Sequence, residues 1–154
     1  MLTKIENDSW TGILKEDPVR PHLSSTFRLS SDRIVLVLTD EDAYNAEAVT
    51  CIAFTNEVPT NEEELDTFSQ QACQDNQKGT IAVFYTVWSY KRGSGREIIN
   101  KGLAWVKENY PHVNKFVTLS PKTEMAKKFH TKNGATLYSA VSYTHLTLPT
   151  KRIV

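Results

Sequence analysis

Residues 87–96 read Val-Trp-Ser-Tyr-Lys-Arg-Gly-Ser-Gly-Arg. This stretch is the strongest indication of the fold, because it changes from a strand pattern to a basic, glycine-containing turn. Residues 80–87 before the turn are rich in Ile, Val, Phe, Tyr and Thr, which favour strands. Residues 95–110 after it carry apolar side chains at three- and four-residue spacing, which predicts a helix. A helix start behind two glycines offers backbone N–H groups and a positive dipole end, so the stretch predicts a phosphate site that Arg92 and Arg96 flank.

Two well-known phosphate loops are excluded by the residues themselves. A Walker-type loop requires a Gly-Lys-Ser/Thr ending that is absent here, and a Rossmann fingerprint requires a third glycine where Glu97 and Ile98 stand. An Arg-Gly-x-Gly run also occurs in ordinary turns, so the segments after the loop have to agree with any functional interpretation.

The segment resembles the acyl-coenzyme A pyrophosphate loop of the GNAT-type N-acetyltransferases, in which a strand ending in Val precedes Arg/Gln-x-x-Gly-x-Gly/Ala. Val87 ends the strand, Arg92 takes the basic position and Gly95 the central glycine, whereas Glu97 replaces the usual Gly or Ala. Residues 129–135, Phe-His-Thr-Lys-Asn-Gly-Ala, resemble the second family phrase, Phe-Tyr-x-Lys-x-Gly-Phe. The resemblance covers residues 79–138.

The order of predicted elements is consistent with that family. Residues 33–39 and 47–54 predict an antiparallel pair of strands, 60–76 a helix, 115–119 a strand and 122–132 a helix, while residues 1–30 show little periodicity. These patterns predict one α/β (α+β) domain over residues 1–140. The resemblance implies a GNAT-like mixed, largely antiparallel sheet, flanked by helices and splayed at the cofactor cleft.

The resemblance also implies acetyl-CoA as the cofactor and assigns the residues that bind it. Backbone groups of residues 85–87 would contact the pantetheine arm, the loop would hold the pyrophosphate, and Thr123 stands where the family often has Asn. The full cofactor-binding set is Tyr85, Thr86, Val87, Arg92, Gly93, Ser94, Gly95, Arg96, Glu97 and Thr123.

Two residues are candidates for proton transfer. By resemblance, His130 falls where a tyrosine protonates the departing thiolate; a histidine there could act as acid or base, or could simply be a helix residue facing the cleft. Glu57 is the candidate base for the amine, and its alternative is an exposed acid at a strand end. Cys51 is disfavoured as a nucleophile because apolar neighbours raise a thiol's pKa. The scattered histidines and two cysteines lack ligand spacing, so no metal site is expected.

Charge is divided along the chain although its net value is zero. Residues 81–154 contain 12 Lys and Arg against 3 Asp and Glu, whereas residues 1–80 contain 6 against 15. A basic half suits the phosphates of coenzyme A, and an acidic half suits a cationic amine, although many of these charges only solvate helix faces. Overall neutrality argues against a dedicated nucleic-acid module.

Two further features concern the chain as a whole. Residues 141–154 resemble a translated cloning-adaptor tail, so we expect them to be non-native, with residues 144–148 pairing as an edge strand. The absence of a long apolar window and of a signal-peptide pattern predicts a cytoplasmic protein without a membrane partner. The oligomeric state stays open, a homodimer included.

The resemblance, supported by the division of charge, implies an N-acetyltransferase that uses acetyl-CoA and acts on a primary amine of a small molecule or peptide. The alternative is a non-catalytic GNAT-like domain that binds coenzyme A or another phosphate ligand as a sensor or interaction module. A basic-faced adaptor without any cofactor is the third alternative.

Overall fold

A computed structural model of the chain describes residues 1–5, 11–18, 20–29, 33–42, 45–74, 79–121, 136–140 and 143–148. A 3-10 helix spans Thr11–Glu16, and three α-helices follow: α1 Ser25–Leu29, α2 Glu62–Gln74 and α3 Ser94–Asn109. The strands are β1 Leu2–Lys4, β2 Arg33–Thr39, β3 Ala46–Thr55, β4 Ile81–Ser89, β5 Lys115–Pro121, β6 Thr136–Ala140 and β7 Tyr143–Leu148.

The described strands form one seven-stranded sheet in the order β1-β2-β3-β4-β5-β7-β6. Every pairing is antiparallel except that of β4 with β5, which is parallel. The crossover from β4 to β5 runs through α3, as a parallel connection requires. The predicted mixed, largely antiparallel sheet is confirmed, and so is the antiparallel pairing of the two strands predicted over residues 33–54.

Helices cover both faces of the sheet. One face packs against the 3-10 helix, α1 and α2, with Leu14 and Leu65 buried among the strand residues Val35 and Val83. The other face packs against α3, whose Leu103 lies among core residues such as Phe84. Burial on both faces explains why β2 is a continuous apolar run in place of an alternating one.

The start of α2 follows the capping signals in the sequence. Asn61 Oδ1 accepts a hydrogen bond from the backbone N–H of Glu64 at 2.8 Å, and the Glu64 carboxylate accepts one from the backbone N–H of Thr60 at 2.8 Å. These reciprocal bonds satisfy donors that the first helical turn leaves unpaired.

Strands β4 and β5 separate partway along their length. Their parallel pairing runs from Ile81↔Lys115 to Phe84↔Thr118 and stops there, although β4 continues to Ser89. Strand β5 continues to Pro121 on its other side, where it pairs with β7. The sheet therefore opens at the carboxyl ends of these two strands, in front of the turn that leads into α3.

A bulge in β4 lies at the same level as this opening. Cys51 of β3 pairs with Thr86, but the next residue, Ile52, pairs with Phe84, so Tyr85 is an extra residue in β4. Because an extra residue resets the alternation of side chains, Tyr85 and Thr86 both reach the face that carries the 3-10 helix.

The C-terminal strands correct one expectation. Strand β7 lies between β5 and β6 and is not an edge strand; β6 holds the edge in the described part of the sheet. The predicted helix over 122–132 lies outside the described residues. At the other terminus, where the sequence shows little periodicity, β1 pairs with β2 through Thr3↔Val37.

Candidate functional site

The turn between β4 and α3 is fixed by one glycine and one serine. Gly93 precedes the helix with φ +83°, in the left-handed region that favours glycine, and makes no side-chain cap. The Ser94 hydroxyl donates to the backbone carbonyl of Glu47 at 2.7 Å and also lies against the Lys91 carbonyl. The turn is thereby tied to β3, and no described side chain caps the N-terminus of α3.

Positive side chains surround this helix start. Arg92 and Arg96 are exposed, and Lys91 Nζ lies 3.2 Å from the Glu47 carboxylate. A 16-residue helix carries a positive dipole end, and two exposed guanidinium groups add to the attraction for an anion. The arrangement can bind a phosphate or pyrophosphate through backbone N–H groups with arginines at the rim.

The edge of β4 that faces the gap carries backbone groups of Val87 and Ser89. The N–H of Tyr90 donates to the Glu47 carbonyl on the β3 side at 2.8 Å. Because neighbouring residues of a strand direct their backbone groups to opposite edges, Val87 and Ser89 direct theirs toward the opening. The Thr86 carbonyl accepts a hydrogen bond from the Thr50 hydroxyl at 3.0 Å.

Arg20 occupies the point where the strands part. Its guanidinium donates through Nη1 to the carbonyl of Tyr85 in β4 and through Nη2 to that of Leu119 in β5, the latter at 2.8 Å. These are the first carbonyls beyond the last strand pair, Phe84↔Thr118. One side chain therefore replaces the strand-to-strand hydrogen bonds that the opening removes.

A buried ion pair between Asp17 and Arg28 holds the backbone of Arg20 in place. Asp17 Oδ2 lies 2.8 Å from Arg28 Nη1, and both side chains are fully buried. Asp17 Oδ1 accepts hydrogen bonds from the backbone N–H of Arg20 and the Thr86 hydroxyl, while Arg28 Nη2 donates to the Arg20 carbonyl at 2.7 Å. Several hydrogen bonds to each charge offset the cost of burying it.

Cys51 lies next to this ion pair, and its thiol is in an environment that keeps it unreactive. Burial raises the pKa of its thiol to about 11, and the nearby Arg28, whose Nη1 lies 3.4 Å from Sγ, only partly opposes that rise. Burial likewise raises the pKa of the Tyr85 phenol well above its usual value. A thiol that stays protonated at neutral pH is a poor nucleophile.

The structure brings together most of the predicted cofactor-binding residues. Residues 92–97 form the turn and the first helical turn behind it, and Val87 directs its backbone groups toward the opening. The Tyr85 carbonyl is bound by Arg20, and the Thr86 carbonyl faces β3. Glu57 is exposed at the other end of the sheet, just beyond Thr55, which pairs with Ile81 at the start of β4. His130 and Thr123 lie outside the described residues.

Sequence reasoning missed Asp17, Arg20, His22 and Arg28. The signal was a cluster of charged residues around two prolines in a segment without periodicity, which is typical of surface turns. Within the described residues, no group of three His, Cys, Asp or Glu side chains could hold a metal ion. No described helix combines the length and hydrophobicity that crossing a bilayer requires.

Comparison with known proteins connects the opening to a fold family. No protein-family model matches the sequence, and no curated protein does. Solved structures do match: Gcn5 from Tetrahymena has a TM-score of 0.59 at 10% identity, with 98% of each chain covered. The toxin–antitoxin complex AtaTR bound with acetyl-CoA matches with a TM-score of 0.61 at 13% identity, covering 97% of this chain and 94% of that one. The fold is GNAT-like.

Malonyl-CoA decarboxylases share the GNAT-like fold over part of their length. The structure from Agrobacterium vitis matches with a TM-score of 0.64 at 21% identity and covers 90% of this chain. The chain spans 38% of that decarboxylase, and 32–33% of two others. The GNAT-like unit thus occurs both alone and as a portion of a longer acyl-CoA enzyme.

Proposed function

We propose that the chain binds an acyl-CoA and transfers its acetyl group to a primary amine. The observation that carries this proposal is the opening between β4 and β5 directly in front of the uncapped start of α3. A free phosphate would fill only the turn. A ligand with an anionic end and a long hydrogen-bonding arm fits better, because the edge of β4 that has lost its pairing with β5 runs for several residues before the turn.

The residues present suit coenzyme A. The turn around Gly93 and the first N–H groups of α3 would hold the pyrophosphate, with Arg92 and Arg96 at its rim. Backbone groups of Val87 and Ser89 would pair with the amides of the arm, as a further strand would. Bound there, acetyl-CoA supplies an activated thioester, and His130 would protonate the departing sulfur.

Binding is tested with acetyl-CoA and an alanine variant of the rim. Titration should raise the thermal unfolding midpoint of the wild type, and Arg92→Ala should weaken acetyl-CoA binding about tenfold by removing one charge-assisted contact. Lys101→Ala removes an exposed positive charge further along the same helix and is the matched control. An unchanged midpoint at saturating acetyl-CoA, with the fold intact, would contradict the proposal.

Turnover is tested separately at His130. Thiol release in the presence of a panel of primary amines should fall about 100-fold in His130→Phe, a typical loss for a general acid, while acetyl-CoA affinity is kept. His130→Tyr replaces one proton donor by another and should retain much more activity than the Phe variant. Equal activity of all three proteins would remove the acid role, and binding without any amine transfer would favour the non-catalytic alternative.

Decarboxylation of malonyl-CoA is a second candidate, favoured by one observation. The three malonyl-CoA decarboxylase structures are 21–23% identical to the chain, whereas the toxin, acyltransferase and Gcn5 structures are 9–13% identical. Both reactions would place a thioester carbonyl in the same opening. Release of CO₂ from malonyl-CoA, with no amine present, distinguishes this candidate from acetyl transfer.

A further inference from the structure

Three side chains form a continuous chain from the opening to the surface, and we call Arg20, Glu62 and His22 the relay. Arg20 Nε lies 2.8 Å from Glu62 Oε1, and Glu62 Oε2 lies 2.7 Å from His22 Nε2. Arg20 is the residue that bridges the carbonyls where β4 and β5 part. The relay therefore begins at the inner end of the opening.

Exposure increases along the relay. The side chains of Arg20, Glu62 and His22 are 1%, 22% and 58% exposed, respectively. An arginine does not pass a proton on, so the part of buried Arg20 is to hold the Glu62 carboxylate, which in turn orients the accessible ring of His22. His22 is thus the member of the relay that a second substrate can reach.

The relay also determines which ring nitrogen can act. With Nε2 donating to the Glu62 carboxylate, the neutral ring carries its lone pair on Nδ1, which can accept a proton. The charged groups behind the ring are Glu62 and Arg20, with Asp17 and Arg28 as the next pair inward.

We propose that His22, oriented by Glu62, is the base that takes a proton from the acceptor amine. This inference rests on the proposed acetyl transfer. An ammonium substrate loses one proton to His22 Nδ1, and its nitrogen lone pair forms the C–N bond as the C–S bond breaks. The thiolate takes a proton from a general acid, the newly formed amide nitrogen returns its surplus proton to that acid, and His22 releases the first proton to solvent. Glu57, at the other end of the sheet, is not part of the relay.

The test is a glutamine at position 22. His22→Gln keeps an N–H donor for Glu62 but cannot accept a proton, so a structural role would survive the change and a basic role would not. At neutral pH we expect kcat for amine acetylation to fall about 100-fold while KM for acetyl-CoA stays within a factor of about two. We expect kcat/KM to rise with pH in the wild type and not to rise in His22→Gln.

Two controls separate this inference from the proposed function. His112→Gln changes a histidine in the turn before β5, where its ring lies against Tyr110, and should keep wild-type kcat and pH profile. A wild type that acetylates amines, with a His22→Gln variant that is equally active or has the same pH profile, would overturn this inference alone. A wild type that binds acetyl-CoA and acetylates no amine in a panel of a polyamine, an amino sugar and a peptide would overturn both.

Discussion

Arg20 shows how one side chain can hold a sheet open. Its three guanidinium nitrogens contact the carbonyls of Tyr85 and Leu119 and the carboxylate of Glu62. A planar fork of donors reaches two strands at once, which a lysine ammonium cannot do with the same geometry. The separation between the strand ends is therefore set by the width of a guanidinium.

Replacing Arg20 by methionine should destabilise the fold. The variant keeps an unbranched side chain but leaves buried carbonyls without their donor and Glu62 without its cation, so we expect a loss of about 3 kcal/mol in unfolding free energy. Urea denaturation measures this loss, with the exposed Arg92→Met as control. A midpoint equal to that of the wild type would show that the bridge contributes nothing to stability.

Cys51 contributes to the pH dependence of stability under alkaline conditions, as the buried Tyr85 phenol also does. The pKa of Cys51 is raised from 9.0 to about 11, so the folded protein keeps the thiol protonated where the unfolded chain ionises it. The associated stabilisation is complete below pH 9 and decreases as the pH rises toward 11. Thermal unfolding from pH 8 to 10.5 should show a shallower decline in Cys51→Ala than in the wild type; parallel curves would contradict this.

At the element scale, the turn between β4 and α3 combines a special backbone with open space. A Cβ added to Gly93 meets nothing within 4 Å, so crowding does not explain the glycine. Its φ of +83° does, because an L side chain in that region costs about 1–2 kcal/mol. The cost of substitution therefore comes from the backbone alone.

Gly93→Ala should shift the turn or destabilise it, and acetyl-CoA binding reports the result. We expect about 1 kcal/mol lower stability and at least fivefold weaker acetyl-CoA binding, because the N–H groups of α3 move relative to β4. Gly12→Ala is the control, since Gly12 has open space and no positive φ. Unchanged affinity in Gly93→Ala would show that the turn does not position the ligand.

At the scale of the whole molecule, the basic half of the chain corresponds to the proposed cofactor side of the site and the acidic half to the proposed amine side. Both arginines of the turn belong to the basic half, whereas Asp17 and Glu62 belong to the acidic half, whose helices cover one sheet face. The two halves meet at the opening, where an anionic cofactor and a cationic amine would approach from different sides.

Salt should weaken cofactor binding in a characteristic way. Raising NaCl from 50 to 500 mM shortens the Debye length from about 14 to about 4 Å, so the exposed Arg92 and Arg96 lose most of their attraction for the phosphates. We expect the Kd for acetyl-CoA to rise about tenfold, and less in Arg92→Ala. Isothermal titration at the two salt concentrations tests this; a salt-independent Kd would contradict it.

The helices, the strands and the turn before α3 can be predicted from the sequence, because the signals for them are local. Strand composition, helical spacing and the glycines place β2–β5, α2, α3 and the turn between β4 and α3 within a few residues of where they lie. Three features became visible only in the folded chain: the point where β4 and β5 separate, the position of β7 beside β5, and the contact of residues 17–28 with the opening. Those features depend on contacts between residues far apart in the chain, such as Arg20 and Leu119, which leave no periodic trace in a single sequence.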